Sequence, residues 1–218
     1  MSLLHTIFLF VFIFSSALSI YSKMVKTNWY KYTKTIPLFL LLVFSVIIGF
    51  PGEYHSSGWF FICGLLAGIT GDFFLLDEKR FIHGLAAFLT GHLLYITGFL
   101  TESSGLGLSV YPLLIAAGLI YLFPVLKAIK QKKKNKYRFP VIFYFAVILF
   151  LVSASVQNTF FAKTMSFSVV AGTVLFTISD GLLAYNKFVA ENRYRSSFVS
   201  VSYYAAQYCI ITGGLHVI

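Results

Sequence analysis

Charge is what this sequence has least of. Of 218 residues only 11% are charged, and seven are Asp or Glu, against roughly 25% charged in an ordinary soluble domain. A water-soluble globule is thereby excluded. Cysteine is scarce as well: Cys63 and Cys209 both lie in apolar runs, so neither is half of an extracellular disulfide framework. Gly-rich phosphate loops and a Gly-x-Ser-x-Gly elbow are missing. A three-histidine zinc site lacks ligands, because His5, His55 and His216 fall near the face opposite His83 and His92. Neither a metal nor a cofactor is expected.

What is abundant is apolar surface. The chain is 58% hydrophobic with a mean hydropathy of +0.83, and it carries 25 Phe and 14 Tyr, a load suited to lipid-facing surfaces and interfacial belts. Eight apolar segments stand out, over residues 3–21, 34–50, 57–76, 81–100, 108–126, 139–156, 166–185 and 198–217. At about 20 residues per span they use about 160 positions, which leaves no room for a soluble domain. Within hydrocarbon every backbone polar group needs an internal partner, and these continuous runs lack the alternation of barrel strands. The expected fold is all-α: one membrane domain over residues 1–218, a bundle of eight transmembrane helices.

The basic residues are placed very unevenly. Sixteen of the 17 Lys and Arg fall in the connections after spans one, three, five and seven, and only Lys163 falls elsewhere. The positive-inside rule makes those four connections cytoplasmic and puts both termini outside. No Lys or Arg precedes the first segment, while Lys23 and Lys26 follow it, so that segment is expected to be retained as a helix rather than removed as a signal. The net charge of +10 then records insertion topology and contact with anionic headgroups, not nucleic-acid binding.

Two acids lie inside spans. Asp72 in span three and Asp180 in span seven are 108 positions apart, half the chain, and Tyr95 and Tyr203 share that offset. The repeated spacing is compatible with two parallel four-helix halves. A carboxylate in hydrocarbon costs at least about 2.5 kcal/mol, so both are functional candidates. Each precedes the expected helix end by roughly one turn, which predicts a shared depth beneath the cytoplasmic face and a common, poorly hydrated hollow. His92 and Tyr95 share a face of span four, and Tyr203, Tyr204 and Gln207 cluster on span eight. Lys34, Lys79, Arg80, Lys187 and Arg193 rim the same end. An acidic floor, an apolar wall and a cationic mouth suit a lipid whose phosphate stays at the interface. From these residues alone the reading stops at a membrane protein that acts on, or moves, an amphiphile or protons.

Several ordered blocks carry a resemblance. Gly71-Asp72-Phe73-Phe74-Leu75-Leu76, Phe81-Ile82-His83-Gly84 and Gly91-His92-Leu93-Leu94-Tyr95 resemble the central signature of the YhhN-like membrane proteins, whose animal members are lysoplasmalogenases. Phe176-Thr177-Ile178-Ser179-Asp180 with Leu183-Ala184-Tyr185-Asn186-Lys187-Phe188 is similar to its second block. Ser202-Tyr203-Tyr204-Ala205-Ala206-Gln207 is similar to its third, and Lys34-Thr35-Ile36-Pro37 to its entry into span two. Spans one, five and six match in hydropathy only.

The resemblance implies a hydrolase of the inner membrane that cleaves the vinyl ether of 1-alkenyl lysophospholipids, with Asp72 and Asp180 as its catalytic pair. Burial beside a second carboxylate would keep one acid protonated while its partner stays ionised. His92, Tyr95, Ser179, Asn186, Tyr203, Tyr204 and Gln207 would then position substrate and water, and Lys187 and Arg193 would hold the phosphate. The expected partners are the lysophospholipid and the surrounding lipid. The alternative reading is a small-molecule or proton-coupled transporter with the two aspartates in its pathway; a third is a lipid-binding regulatory bundle.

Overall fold

In the computed structural model, which describes residues 3–49, 57–102 and 111–216, the chain is helical throughout. Eight long helices run in order: α1 Leu3–Met24, α3 Ile36–Gly49, α4 Gly58–Phe74, α5 Phe81–Glu102, α6 Tyr111–Gln131, α7 Arg138–Val156, α8 Phe167–Phe188 and α9 Arg193–Gly214. A single turn, α2, covers Tyr30–Thr33. The expected start of the fifth span at residue 108, the end of the second at 50 and His55 lie outside the described residues.

The helix ends differ from the apolar segments in a consistent way. α1 runs on to Met24, α6 to Gln131 and α8 to Phe188, while α9 already begins at Arg193. Lysine and arginine are good helix formers whose long stems lie along apolar surface while the charge stays at the interface. The apolar pattern reports hydrocarbon depth; the helix continues past it. After α7 a π-helical turn follows at Gln157–Ala162, closed by Lys163 in the left-handed region at φ 55°. Asn158 secures that turn by donating to Phe99 O and Ala154 O, at 3.0 and 2.9 Å.

Among the described residues five stretches are long and apolar enough to cross a membrane, and α4 is a shorter apolar helix; the chain is an integral membrane protein. Helix α9 is the polar one, and it is also the inner one. It packs on α8, α1, α4 and α3, and its buried face carries Ser202, Tyr203, Tyr204, Gln207 and Thr212. A helix surrounded by protein finds hydrogen-bond partners that lipid cannot offer.

The connections after α1, α4, α6 and α8 gather at one end of the bundle. Lys23 Nζ donates to Ser196 O and Ser200 Oγ, at 2.7 and 2.9 Å. Lys132 Nζ donates to Val189 O at 2.9 Å, and Lys187 Nζ lies 3.9 Å from Glu78. The residues that carry nearly all the positive charge therefore share one end.

The α8–α9 contact depends on Gly172, where a Cβ would stand 2.8 Å from Ile210 and 2.9 Å from the Ala206 carbonyl oxygen. Backbone cannot yield as a side chain does, so Gly172→Val should destabilise the bundle by at least about 1–3 kcal/mol. A thermal midpoint in detergent close to that of the parent would show the contact is looser than described.

Candidate active site

Two polar clusters lie in the interior of the bundle. The first is built by α5, α7 and α8 around Asp180. Tyr144 donates its hydroxyl to Asp180 Oδ2 at 2.6 Å, and His92 Nε2 lies 3.1 Å from the same oxygen. Asp180 and His92 are both buried. Asp180 is one of the residues lining a cavity of about 320 Å³ between α5, α6, α7 and α8. Apart from Asp180, the Tyr144 hydroxyl and Thr177, that wall is apolar: Phe81, Leu85, Val125, Val141, Ile148, Val152, Val174 and Phe188 contribute to it.

The second cluster joins the α2–α3 junction to α4 and α9. Lys34 Nζ lies 3.2 Å from Asp72 Oδ1 and donates to the Asp72 backbone oxygen at 2.9 Å. Tyr204 donates to the Lys34 carbonyl at 2.8 Å and shares a 2.9 Å hydrogen bond with Ser19. Tyr95 donates to Gln207 Oε1 at 2.6 Å. Within this cluster three buried polar atoms make no hydrogen bond of good geometry among the described residues: Asp72 Oδ2, the Tyr203 hydroxyl and Gln207 Nε2. The last two converge on Gly68, where a Cβ would stand 2.8 Å from Gln207 Nε2 and 3.1 Å from the Tyr203 oxygen. Any larger residue at 68 would fill the space these groups face.

Aromatic rings connect the clusters. Phe176 stands edge-on to His92 at 4.6 Å and edge-on to Tyr203 at 5.4 Å between ring centroids, and Phe88 meets Tyr203 at 5.7 Å. Asp72 is not among the residues lining the cavity; it faces Lys34 instead. A buried ammonium held by one carboxylate is the physical reason, since either ion left alone in the bundle would be costly. The two acids also differ in register. Asp72 is in the last turn of α4, which ends at Phe74, whereas Asp180 is about two turns before the end of α8.

The remaining candidates are dispersed. Ser179 donates to Val199 O at 3.0 Å and clamps α8 to α9. Asn186 accepts from Arg195 at 3.1 Å, organising the turn into α9. Lys187 Nζ lies 5.0 Å from the Phe81 ring centroid, beside the cavity wall. Arg193, the first residue of α9, is exposed. Tyr144 has no counterpart among the residues singled out from sequence, because span six matched in hydropathy only; its signal was a phenol alone in the apolar run 139–156. Among the described residues no three His, Cys, Asp or Glu side chains gather as metal ligands would.

The fold and this arrangement define a class: a polytopic helical membrane protein with a buried carboxylate set on an apolar cavity. The chain belongs to the YhhN family, whose model matches residues 29–214 and so takes in both buried aspartates. It is 29% identical over 185 residues to "Lysoplasmalogenase TMEM86A" of Bos taurus, covering 81% of this chain and 74% of that protein. It is 31% identical over 182 residues to "Lysoplasmalogenase TMEM86B" of Mus musculus, covering 84% and 74%. Over 178 residues it is 26% identical to "Uncharacterized membrane protein YhhN" of Escherichia coli O157:H7, covering 80% and 83%. No solved structure matches.

Removing one partner of the Lys34–Asp72 pair strands a buried charge, a change that costs about 3–5 kcal/mol in such pairs. Asp72→Asn is expected to lower the thermal midpoint sharply, and Lys34→Met combined with Asp72→Leu to recover most of it. A double variant no more stable than Asp72→Asn would mean the pair is not what the loss reports.

Proposed function

We propose that the chain hydrolyses the vinyl ether of 1-alkenyl lysophospholipids, releasing a fatty aldehyde and glycerophosphocholine or glycerophosphoethanolamine. The observation that carries this reading is the Asp180 carboxyl group, held by Tyr144 and His92 on the wall of an otherwise apolar cavity. Relatives named lysoplasmalogenases support the substrate class. Fold alone does not, since one scaffold hosts unrelated chemistries.

Cleavage of a vinyl ether begins with proton transfer to the β-carbon. In this reading Asp180 supplies that proton, and the charge that develops on the α-carbon and ether oxygen is an oxocarbenium ion. The carboxylate left behind, still accepting the Tyr144 hydroxyl, faces this cation in a poorly hydrated site where electrostatic stabilisation is strong. Water then adds to the α-carbon and returns a proton to Asp180, leaving a neutral hemiacetal. Collapse breaks the bond to the glycerol oxygen, which takes the hemiacetal proton; aldehyde and alcohol result. Paired carboxylates divide related work in glycosidases. Here Asp72 is the second acid of the pair, set in the neighbouring cluster with Lys34, Tyr203 and Gln207 rather than on the cavity wall. Tyr95 orients Gln207 through their hydrogen bond.

Lys187, beside Phe81 at the basic end, holds the phosphate, with Arg193 further out at the interface. Under the positive-inside rule that end faces the cytoplasm and both termini lie outside. The 108-residue offset between the acids is read as two parallel halves.

Purified Asp180→Asn, given a 1-alkenyl lysophospholipid, should release aldehyde about 10²–10⁴-fold more slowly than the parent, the usual range for a lost general acid. The saturated 1-alkyl ether should remain intact with either protein. Turnover by Asp180→Asn near the parent rate would sink the reading. Substrate flux in proteoliposomes without product would favour a carrier instead.

A further inference from the structure

We infer that the cavity is a slot for a single alkyl chain, and that Val152, at the end away from the basic connections, limits the chain length accepted. The inference rests on the proposed hydrolase reading for the headgroup and the bond that is cut, and extends it to a part of the molecule with no chemistry of its own.

Helix α8 supplies a register for the bound molecule. Its lining residues Val174, Thr177, Gly181, Ala184 and Phe188 recur at helical spacing and form one stripe. Lys187 is seven residues beyond Asp180, two turns on the same side of the helix and about 10.5 Å along the axis. In the other direction Val174 is six residues from Asp180, a further rise of about 9 Å, and every intervening contact on the wall is apolar except Thr177. The wall toward the basic end is apolar as well, through Leu183, Ala184, Phe188, Phe81 and Val141, so an alkyl chain meets hydrocarbon-like lining along the whole cavity.

Helix α7 closes the end away from the basic connections. Its lining residues run from Val141 near the basic connections through Tyr144, Ile148 and Leu149 to Val152, eleven residues and about 16.5 Å. Val152 is buried, so a side chain enlarged there has little freedom to turn away. The cavity volume of about 320 Å³ lies at the small end of ligand sites. It fits an amphiphile with one chain better than one with two.

The test uses the full chain in nanodiscs and two substitutions of opposite sense. Saturated 1-alkyl lysolipids of graded length, which have no vinyl bond to cleave, compete against a fluorescent single-chain lysolipid. Each methylene excluded from an apolar site loses about fourfold in affinity. Val152→Phe should therefore weaken the longest competitors by at least about tenfold while leaving the shortest almost unchanged. Val152→Ala should move the optimum toward longer chains. Retained binding of the shortest competitor shows that the variant has folded. Equal losses at all lengths, or identical profiles for both variants, would overturn the inference. Release of aldehyde with no dependence on these substitutions would also overturn it, leaving the hydrolase reading intact. A length shift in binding with no aldehyde from any 1-alkenyl substrate would uphold the slot and remove the hydrolase.

Discussion

Hydrocarbon supplies no hydrogen-bond partners, so every ionic group carried into the bundle must bring its own. The architecture of the interior answers that constraint. Asp180 is met by Tyr144 from α7 and His92 from α5, and Asp72 by Lys34 from the approach to α3. Each carboxylate thus binds helices that are distant in sequence. Helix α9 fits among α1, α3, α4 and α8 for the same reason. Its tyrosines, serines and glutamine would be unsatisfied against lipid, and here Tyr204 meets Lys34 and Ser19 while Gln207 meets Tyr95.

The two acids solve the constraint differently, which sets their environments apart. Asp72 is neutralised by a cation and tied to it twice, through the side chain and the backbone oxygen. Breaking such a pair is expensive even when its net contribution to stability is small, so the pair acts as a fixed joint between α3 and α4. Asp180 has no lysine or arginine among its contacts. A phenol and an imidazole hold one oxygen, and the group borders a dry cavity. Phe176, edge-on to both His92 and Tyr203, stands between the two environments.

The family shared with the animal and bacterial relatives is carried by residues spread over 29–214, not by one contiguous motif. That distribution follows from a site assembled across helices. The side chains that converge on Asp180 come from positions 92 and 144, and those near Asp72 from 34, 203 and 207. Loop chemistry contributes little, in contrast to soluble enzymes whose site residues concentrate on connections.

Composition and periodic hydropathy were enough to establish the all-helical membrane class, the order of the helices and the end at which the basic residues gather, because insertion into lipid reads those properties locally along the chain. The candidate acids were also legible, since a carboxylate within an apolar run is conspicuous. Which acid borders the cavity was not, nor was the role of Tyr144, nor the separate partners of Asp72 and Asp180. Ser179 and Asn186, which the resemblance implied as substrate-positioning residues, bind Val199 and Arg195 at the α8–α9 contact. Partner choice between buried groups depends on helix rotation and crossing, which arise from packing at small residues such as Gly68 and Gly172. Those contacts span the bundle, and no local pattern in the chain encodes them.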